Sequence, residues 1–189
     1  DAHMPDGRTL EDREILGVCL LLLLAGIDTT WSAIGSSLLH LATHPDHRRR
    51  LVAEPGLIHS ATEEFLRAFA PVTMAREVIE DTVVGGCPMQ RGDRVLLPFP
   101  SGNRDPDAFD QPDRVILDRE VNRHFAFGVG IHRCLGSNLA RMELRVTIET
   151  WLDRIPEFSL TDPDAVTWSA GQVRGPRTLP LTFPNRRNI

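Results

Sequence analysis

From Thr9 to His44 the chain runs without a proline, and its apolar and polar residues keep a helical pattern until Pro45 stops it. Thr9 and Asp12 stand at the start as a capping-box-like pair. About 35 residues rising 1.5 Å each make a rod of roughly 50 Å, long enough to cross a whole domain. Within it, Val18 to Ile27 is apolar on every face, so the expectation is a central helix buried all round. The uninterrupted apolar run, Val18 to Ala25, is shorter than the about 20 residues a bilayer needs, which predicts core and no membrane. The rod then carries Ala25-Gly26-Ile27-Asp28-Thr29-Thr30. Asp and Thr in mid-helix compete for backbone hydrogen bonds. Such a local conflict marks either a functional site or a hydroxyl bonded back to a carbonyl four residues earlier with the Asp in a solvated patch.

A second feature names a chemistry. Phe127-Gly128-Val129-Gly130-Ile131-His132-Arg133-Cys134-Leu135-Gly136 sets one cysteine among glycines just before another long helical pattern. A metal-bound thiolate must stay ionised while shielded from water, and the start of a helix supplies N–H donors and positive dipole for that. The glycines let the backbone turn tightly and lie close to a flat ligand, and Phe127 can keep the sulfur dry. The plainer alternative is a buried structural cysteine in a glycine-rich turn. Further upstream, Glu64-Phe65-Leu66-Arg67 places an acid and a base three apart on one helix face ahead of Pro71, with Glu63 also within reach of Arg67.

The cysteine segment closely resembles the haem-binding loop of the cytochrome P-450 monooxygenases, F-x-x-G-x-x-x-C-x-G. Ala25 to Thr30 and Glu64 to Arg67 match the [AG]-G-x-[DE]-T-[ST] and E-x-x-R segments of that family, in the family's order. The resemblance runs from about Asp6 to Phe183. It implies haem b (iron protoporphyrin IX) held by Cys134 as axial iron ligand, with Phe127, Gly128 and Gly136 shaping the loop. His132 and Arg76 would bind the haem propionates. Ala25 and Gly26 would leave room over the distal face, and Asp28 and Thr29 would deliver protons to bound dioxygen. Glu64, Arg67 and Arg119 would form a salt network. Leu21, Ala25, Val72, Thr73, Met74 and Val173 would line the pocket for an apolar substrate. Where the family usually has an aromatic residue followed by Asp or Asn, this chain has Val115 and Ile116, which puts the packing around Arg119 in question.

The implied fold is mainly α with small β-sheets, the C-terminal half of the P-450 fold, residues 1–189 forming part of a single haem domain without its N-terminal half. The implied activity is insertion of one oxygen atom from dioxygen into an apolar small molecule, with electrons from NAD(P)H reaching the haem through a ferredoxin or flavoprotein reductase. The segments Ile27 to Ser32 and Ile131 to Cys134 resemble members with a fused reductase. Two other readings compete: a peroxide-driven haem-thiolate enzyme, disfavoured by retention of Asp28 and Thr29, and an inactive, haem-poor fragment that self-associates through its apolar helix.

Composition narrows the setting. A net charge of -5 argues against nucleic acid. The three cysteines, Cys19, Cys87 and Cys134, are widely spaced and fit no zinc motif, which suits a reducing cytoplasm. Asp1 to Leu10 reads as a polar approach, without a signal-peptide pattern. Arg48-Arg49-Arg50 reads as a solvated helix face. The remaining expectations are helices at 10–44, 46–53, 57–69 and 135–155, strands near 75–84 and 93–98, and a final hairpin over 166–183.

Overall fold

The computed structural model describes residues 6–184; the first and last few residues of the polar approach and the tail lie outside the described residues. The long rod is helix α1, Asp12–Thr43. Its start differs from the Thr9/Asp12 expectation: the Glu11 N–H donates to Glu14 Oε2 at 2.9 Å, and Arg8 holds Glu14 with a fork at 2.7 and 2.8 Å. The arginine fixes the Glu14 carboxylate under the first turn, which moves the cap to Glu11.

α1 has two different halves. Ser32, Ala33, Ser36, Ser37, Leu38, His40, Leu41 and Ala42 are buried. The segment expected to be buried all round is instead open: Leu20, Leu21, Leu22, Leu23, Leu24 and Ile27 are each more than half exposed, because no described element packs on that end. By length and composition α1 would also suffice to cross a membrane, a property hidden when only the unbroken Val18–Ala25 run is measured.

Pro45 starts α2, Pro45–Ala53, whose missing N–H costs nothing at a first helical position. A 3-10 turn at Pro55–Leu57 leads into α3, Ile58–Ala68, which ends ahead of Pro71 as expected. The core lies between the buried half of α1, α2, α3 and α5, Ser137–Arg154. Leu144, Ile148 and Leu152, spaced four apart on α5, meet Leu41, Leu51, Phe65 and Leu117 there. α5 starts two residues later than the pattern suggested. Its first bond runs from the Ala140 N–H to the Gly136 carbonyl, so Cys134 and Leu135 stay outside the helix.

The sheets are small antiparallel pairs. β1, Thr73–Glu77, pairs with β4, Arg94–Pro98, from Thr73 opposite Pro98 to Glu77 opposite Arg94. The single strand expected at 75–84 is broken: after Glu77 the Val78 N–H turns to the Asp93 carbonyl, and β2, Thr82–Val84, forms its own hairpin with β3, Cys87–Met89. A four-residue helix, α4, Phe99–Gly102, follows β4. The tail also departs from the expected hairpin. β6, Thr167–Trp168, pairs with β7, Pro176–Thr178, but β8, Leu181–Thr182, pairs back to β5, Ser159–Leu160. Apolar burial decides this: Leu160 and Leu181 pack on the core and Phe183 lies against Trp151, with ring centroids 6.1 Å apart.

Candidate active site: a cysteine loop, a braced core and an open helix

Between Phe125 and Gly136 the backbone folds round on itself. The Cys134 N–H donates to the Phe127 carbonyl at 2.9 Å and the Gly128 N–H to the Phe125 carbonyl at 2.8 Å, while Asn103 Oδ1 accepts from the Phe125 N–H at 3.0 Å. Gly128 and Gly130 sit at φ of 69° and 70°, the left-handed region that a side chain would strain. The sulfur lies beside Gly136, where an added Cβ would stand 4.0 Å from Cys134 Sγ. Cys134 is a free thiol near the N-terminal end of α5 and is exposed. Within the described residues it is not buried as the plainer reading expects. Around it Val129, Ile131 and Leu135 are bare, Ile131 at 97% exposure.

This donor set fits haem. Cys134 offers a single accessible sulfur, and a lone thiolate suits a metal that arrives with its remaining ligands already in a ring. The bare apolar side chains offer that ring a surface. His132 lies in the 3-10 turn Gly130–His132 ahead of the cysteine and is exposed. Arg76 is exposed on β1, and among the described residues its Nη1 donates to the Ala75 carbonyl at 2.8 Å. Both are free to meet an anionic group.

The acid-base pair of α3 is a buried hub. Glu64 and Arg67 are both fully buried, joined by two bonds, Nε to Oε2 at 2.8 Å and Nη2 to Oε1 at 2.9 Å. Arg67 also donates to the carbonyls of Asn103, Pro112 and Arg114 at 2.9, 2.7 and 2.8 Å. Arg119 Nε reaches Glu64 Oε2 at 2.9 Å, and Asn122 Nδ2 adds a bond at 3.1 Å. The Val115-Ile116 departure does no harm here, because the network uses the Ile116 main-chain N–H, 2.8 Å from Glu64 Oε1, and not its side chain. Burial works to raise the Glu64 carboxyl, but Arg67, Arg119 and the Ile116 N–H together hold it below the usual carboxylate range. Glu63, the alternative partner of Arg67 by sequence, points elsewhere, toward His124 and Arg141.

On α1, Thr29 Oγ1 donates to the Ala25 carbonyl at 2.7 Å, the back-bonded geometry that was one of the two expectations for this residue. Asp28 is not simply solvated. Arg177 on β7 grips it with bonds of 2.6 and 3.2 Å, and this guanidinium holds the Asp28 carboxyl below its ordinary value. Sequence reasoning missed Arg177, and no local signal marks a partner 149 positions away. A close approach brings the two elements together: a Cβ on Gly35 would stand 2.8 Å from the Pro176 ring. At Gly26 an added Cβ would meet nothing within 4 Å, so the helix presents open space there.

The expected pocket residues fall into two groups. Val72 pairs with Val173 through an isolated antiparallel bridge, the Thr73 N–H donates to the Gln172 carbonyl at 2.9 Å, and Gln172 Nε2 contacts Met74 Sδ at 3.3 Å. Leu21 and Ala25 stand on the open end of α1.

Comparison with known proteins agrees with this arrangement. The family description Cytochrome P-450 matches residues 2–166. The chain is 40% identical to the vitamin D(3) 25-hydroxylase of Pseudonocardia autotrophica over 96% of its own length and 46% of that protein. It is 38% identical to the mycinamicin IV hydroxylase/epoxidase of Micromonospora griseorubida over 93% of its length and 45% of that protein. The solved structure of the Bacillus subtilis cytochrome P-450 PksS superimposes with a TM-score of 0.91 at 37% identity, covering 97% of this chain and 48% of the other. The chain therefore spans somewhat less than half the length of these relatives, and α1 falls within the superimposed fold. With the long helix, the E-x-x-R hub and the cysteine loop all in that fold, the chain belongs to the cytochrome P-450 family.

Proposed function

We propose that this chain carries the thiolate side and the oxygen-facing helix of a haem monooxygenase, one that inserts an oxygen atom from dioxygen into an apolar small molecule. Its electrons come from NAD(P)H through a ferredoxin or flavoprotein reductase, in the cytoplasm. The observation that carries the reading is Cys134: a lone, accessible thiol at the mouth of α5, in a loop braced by the Phe127 carbonyl and ringed by bare apolar side chains. Haem bound there would supply activation of dioxygen through an electron-donating thiolate.

The chain's own residues do the rest. The N-terminal end of α5 favours negative charge on the sulfur, and the Phe127 carbonyl anchors the Cys134 N–H. His132 and Arg76 meet the propionates. Thr29 spends its hydroxyl proton on the Ala25 carbonyl, so its Oγ1 lone pairs remain to accept a hydrogen bond from an oxygen species in the open space beside Gly26. Asp28, kept ionised by Arg177, is the carboxylate that relays protons from solvent to that position. Leu21, Ala25, Val72, Thr73, Met74 and Val173 favour an apolar substrate by desolvation. The relatives named for hydroxylation support the reaction type.

Two measurements test this. The ferrous carbon monoxide complex of the haem-loaded full-length protein is expected to show the strongly red-shifted Soret band of thiolate ligation, and Cys134→Ser to lose it; an unchanged band in the variant sinks the assignment. In the full-length enzyme Thr29→Ala is expected to leave haem binding intact while diverting NAD(P)H consumption to peroxide, with product formation falling by about 10²-fold or more, the scale of a lost general acid-base group. Equal coupling in both proteins would remove Thr29 from proton delivery, and full turnover on added peroxide without a reductase would favour the peroxide-driven enzyme.

A further inference from the structure

Glu63, His124 and Arg141 lie outside the E-x-x-R hub and have no place in the chemistry above. Glu63 follows the helical turn one step before Glu64, which swings its carboxylate away from Arg67 and toward α5. Its Oε1 accepts from Arg141 Nε at 2.8 Å and its Oε2 meets His124 Nε2 at 3.1 Å. The His124 side chain is 2% exposed. The other ring nitrogen of His124, Nδ1, accepts the Ala126 N–H at 3.2 Å, so it carries no proton. With Nδ1 accepting, Nε2 is the ring nitrogen that donates to Glu63.

The two arms from Glu63 end on neighbouring residues of the loop, Ala126 and Phe127. The His124 arm fixes the backbone just ahead of Phe127 through Ala126. The Arg141 arm places a guanidinium 4.6 Å from the Phe127 ring centroid, within cation-π range. Phe127 in turn accepts the Cys134 N–H at 2.9 Å. If the cluster served only to tie α3 to α5, Arg141 would suffice, for the His124 arm adds no bond between helices. That arm ends on loop backbone. Although burial works to raise it, His124 and Arg141 hold the Glu63 carboxyl down to about 2, so the acceptor stays charged.

We propose that Glu63, His124 and Arg141 are positioning residues that set the Phe127–Cys134 loop, fixing the thiolate in place for its metal through the backbone and ring of Phe127. This rests on the reading of Cys134 as the haem ligand.

The test is amide hydrogen exchange of the haem-free chain. In Glu63→Gln the amide cannot accept from both partners as a carboxylate does, and exchange at the Gly128 and Cys134 N–H groups is expected to rise at least about tenfold, while the Leu144 and Ile148 amides keep their protection. Arg141→Gln is expected to do the same, and Arg141→Lys, which keeps a cation near Glu63 and Phe127, to recover most of the protection. Arg50→Gln, which breaks the exposed pair with Asp118 at 2.6 Å, is the control and should change neither. At equal haem content, Glu63→Gln should also convert part of the thiolate Soret band of the carbon monoxide complex to that of a neutral thiol. If Glu63→Gln fails to fold, Arg141→Gln and its Lys rescue decide. Unchanged Cys134 exchange in the folded variants, or protection lost equally across α3 and α5, overturns the proposal. The exchange is read without haem, so its failure is separable from failure of the haem assignment, which Cys134→Ser tests alone.

Discussion

Arg67→Leu is expected to prevent recovery of folded protein. The substitution leaves Glu64 fully buried without its forked partner and takes the donor from three loop carbonyls, those of Asn103, Pro112 and Arg114. Removing one member of a buried ion pair costs about 3–5 kcal/mol, because the remaining charge is uncompensated. A domain has only about 5–15 kcal/mol to lose, and the stranded carbonyls add to the loss. Arg119 remains at 2.9 Å from Glu64 but approaches from the loop side and cannot replace the fork. Arg67→Lys should fail nearly as badly, since a single ammonium cannot serve two carboxylate oxygens and three carbonyls at once. Soluble yield and cooperative thermal melting are the measurements. A variant that melts like the parent would show the hub to be dispensable.

The second large effect concerns the open end of α1. Leu16, Leu20, Leu21, Leu22, Leu23, Leu24 and Ile27 all stand more than half exposed on one rod, and burying each such side chain contributes roughly 1.5–3 kcal/mol. An apolar surface of this extent marks an interface. The 189-residue chain by itself is therefore expected to sediment as an oligomer and to hold haem poorly. Leu20→Glu combined with Leu24→Glu, one turn apart on the same face, should shift it toward monomer without loss of the Leu41, Phe65 and Ile148 core, which lies at the other end. Sedimentation with a haem assay decides it. A stable monomer carrying one haem per chain would refute this account.

Much of this structure was legible in the residues because it is local. Pro45 and Pro71 end helices by removing donors, the Glu64/Arg67 spacing puts both side chains on one face, and Gly128 and Gly130 allow the turn that presents Cys134; each depends on neighbours within a few positions. Even the ambiguity between Glu63 and Glu64 was stated by spacing, and packing resolved it, because one carboxylate meets Arg67 and the other meets α5.

What the amino-acid order alone determined, then, was which segments become helices, where a cysteine stands among glycines ahead of a helix, and which family the motifs match. Tertiary structure decided the partners. Arg177 on Asp28, the Ile116 N–H on Glu64, the pairing of β8 with β5 and the bonds of Glu63 to His124 and Arg141 all join residues far apart in the chain. No period or motif encodes such contacts, because they arise only once packing the apolar core has brought the segments together and left each buried polar group to find the nearest donor or acceptor.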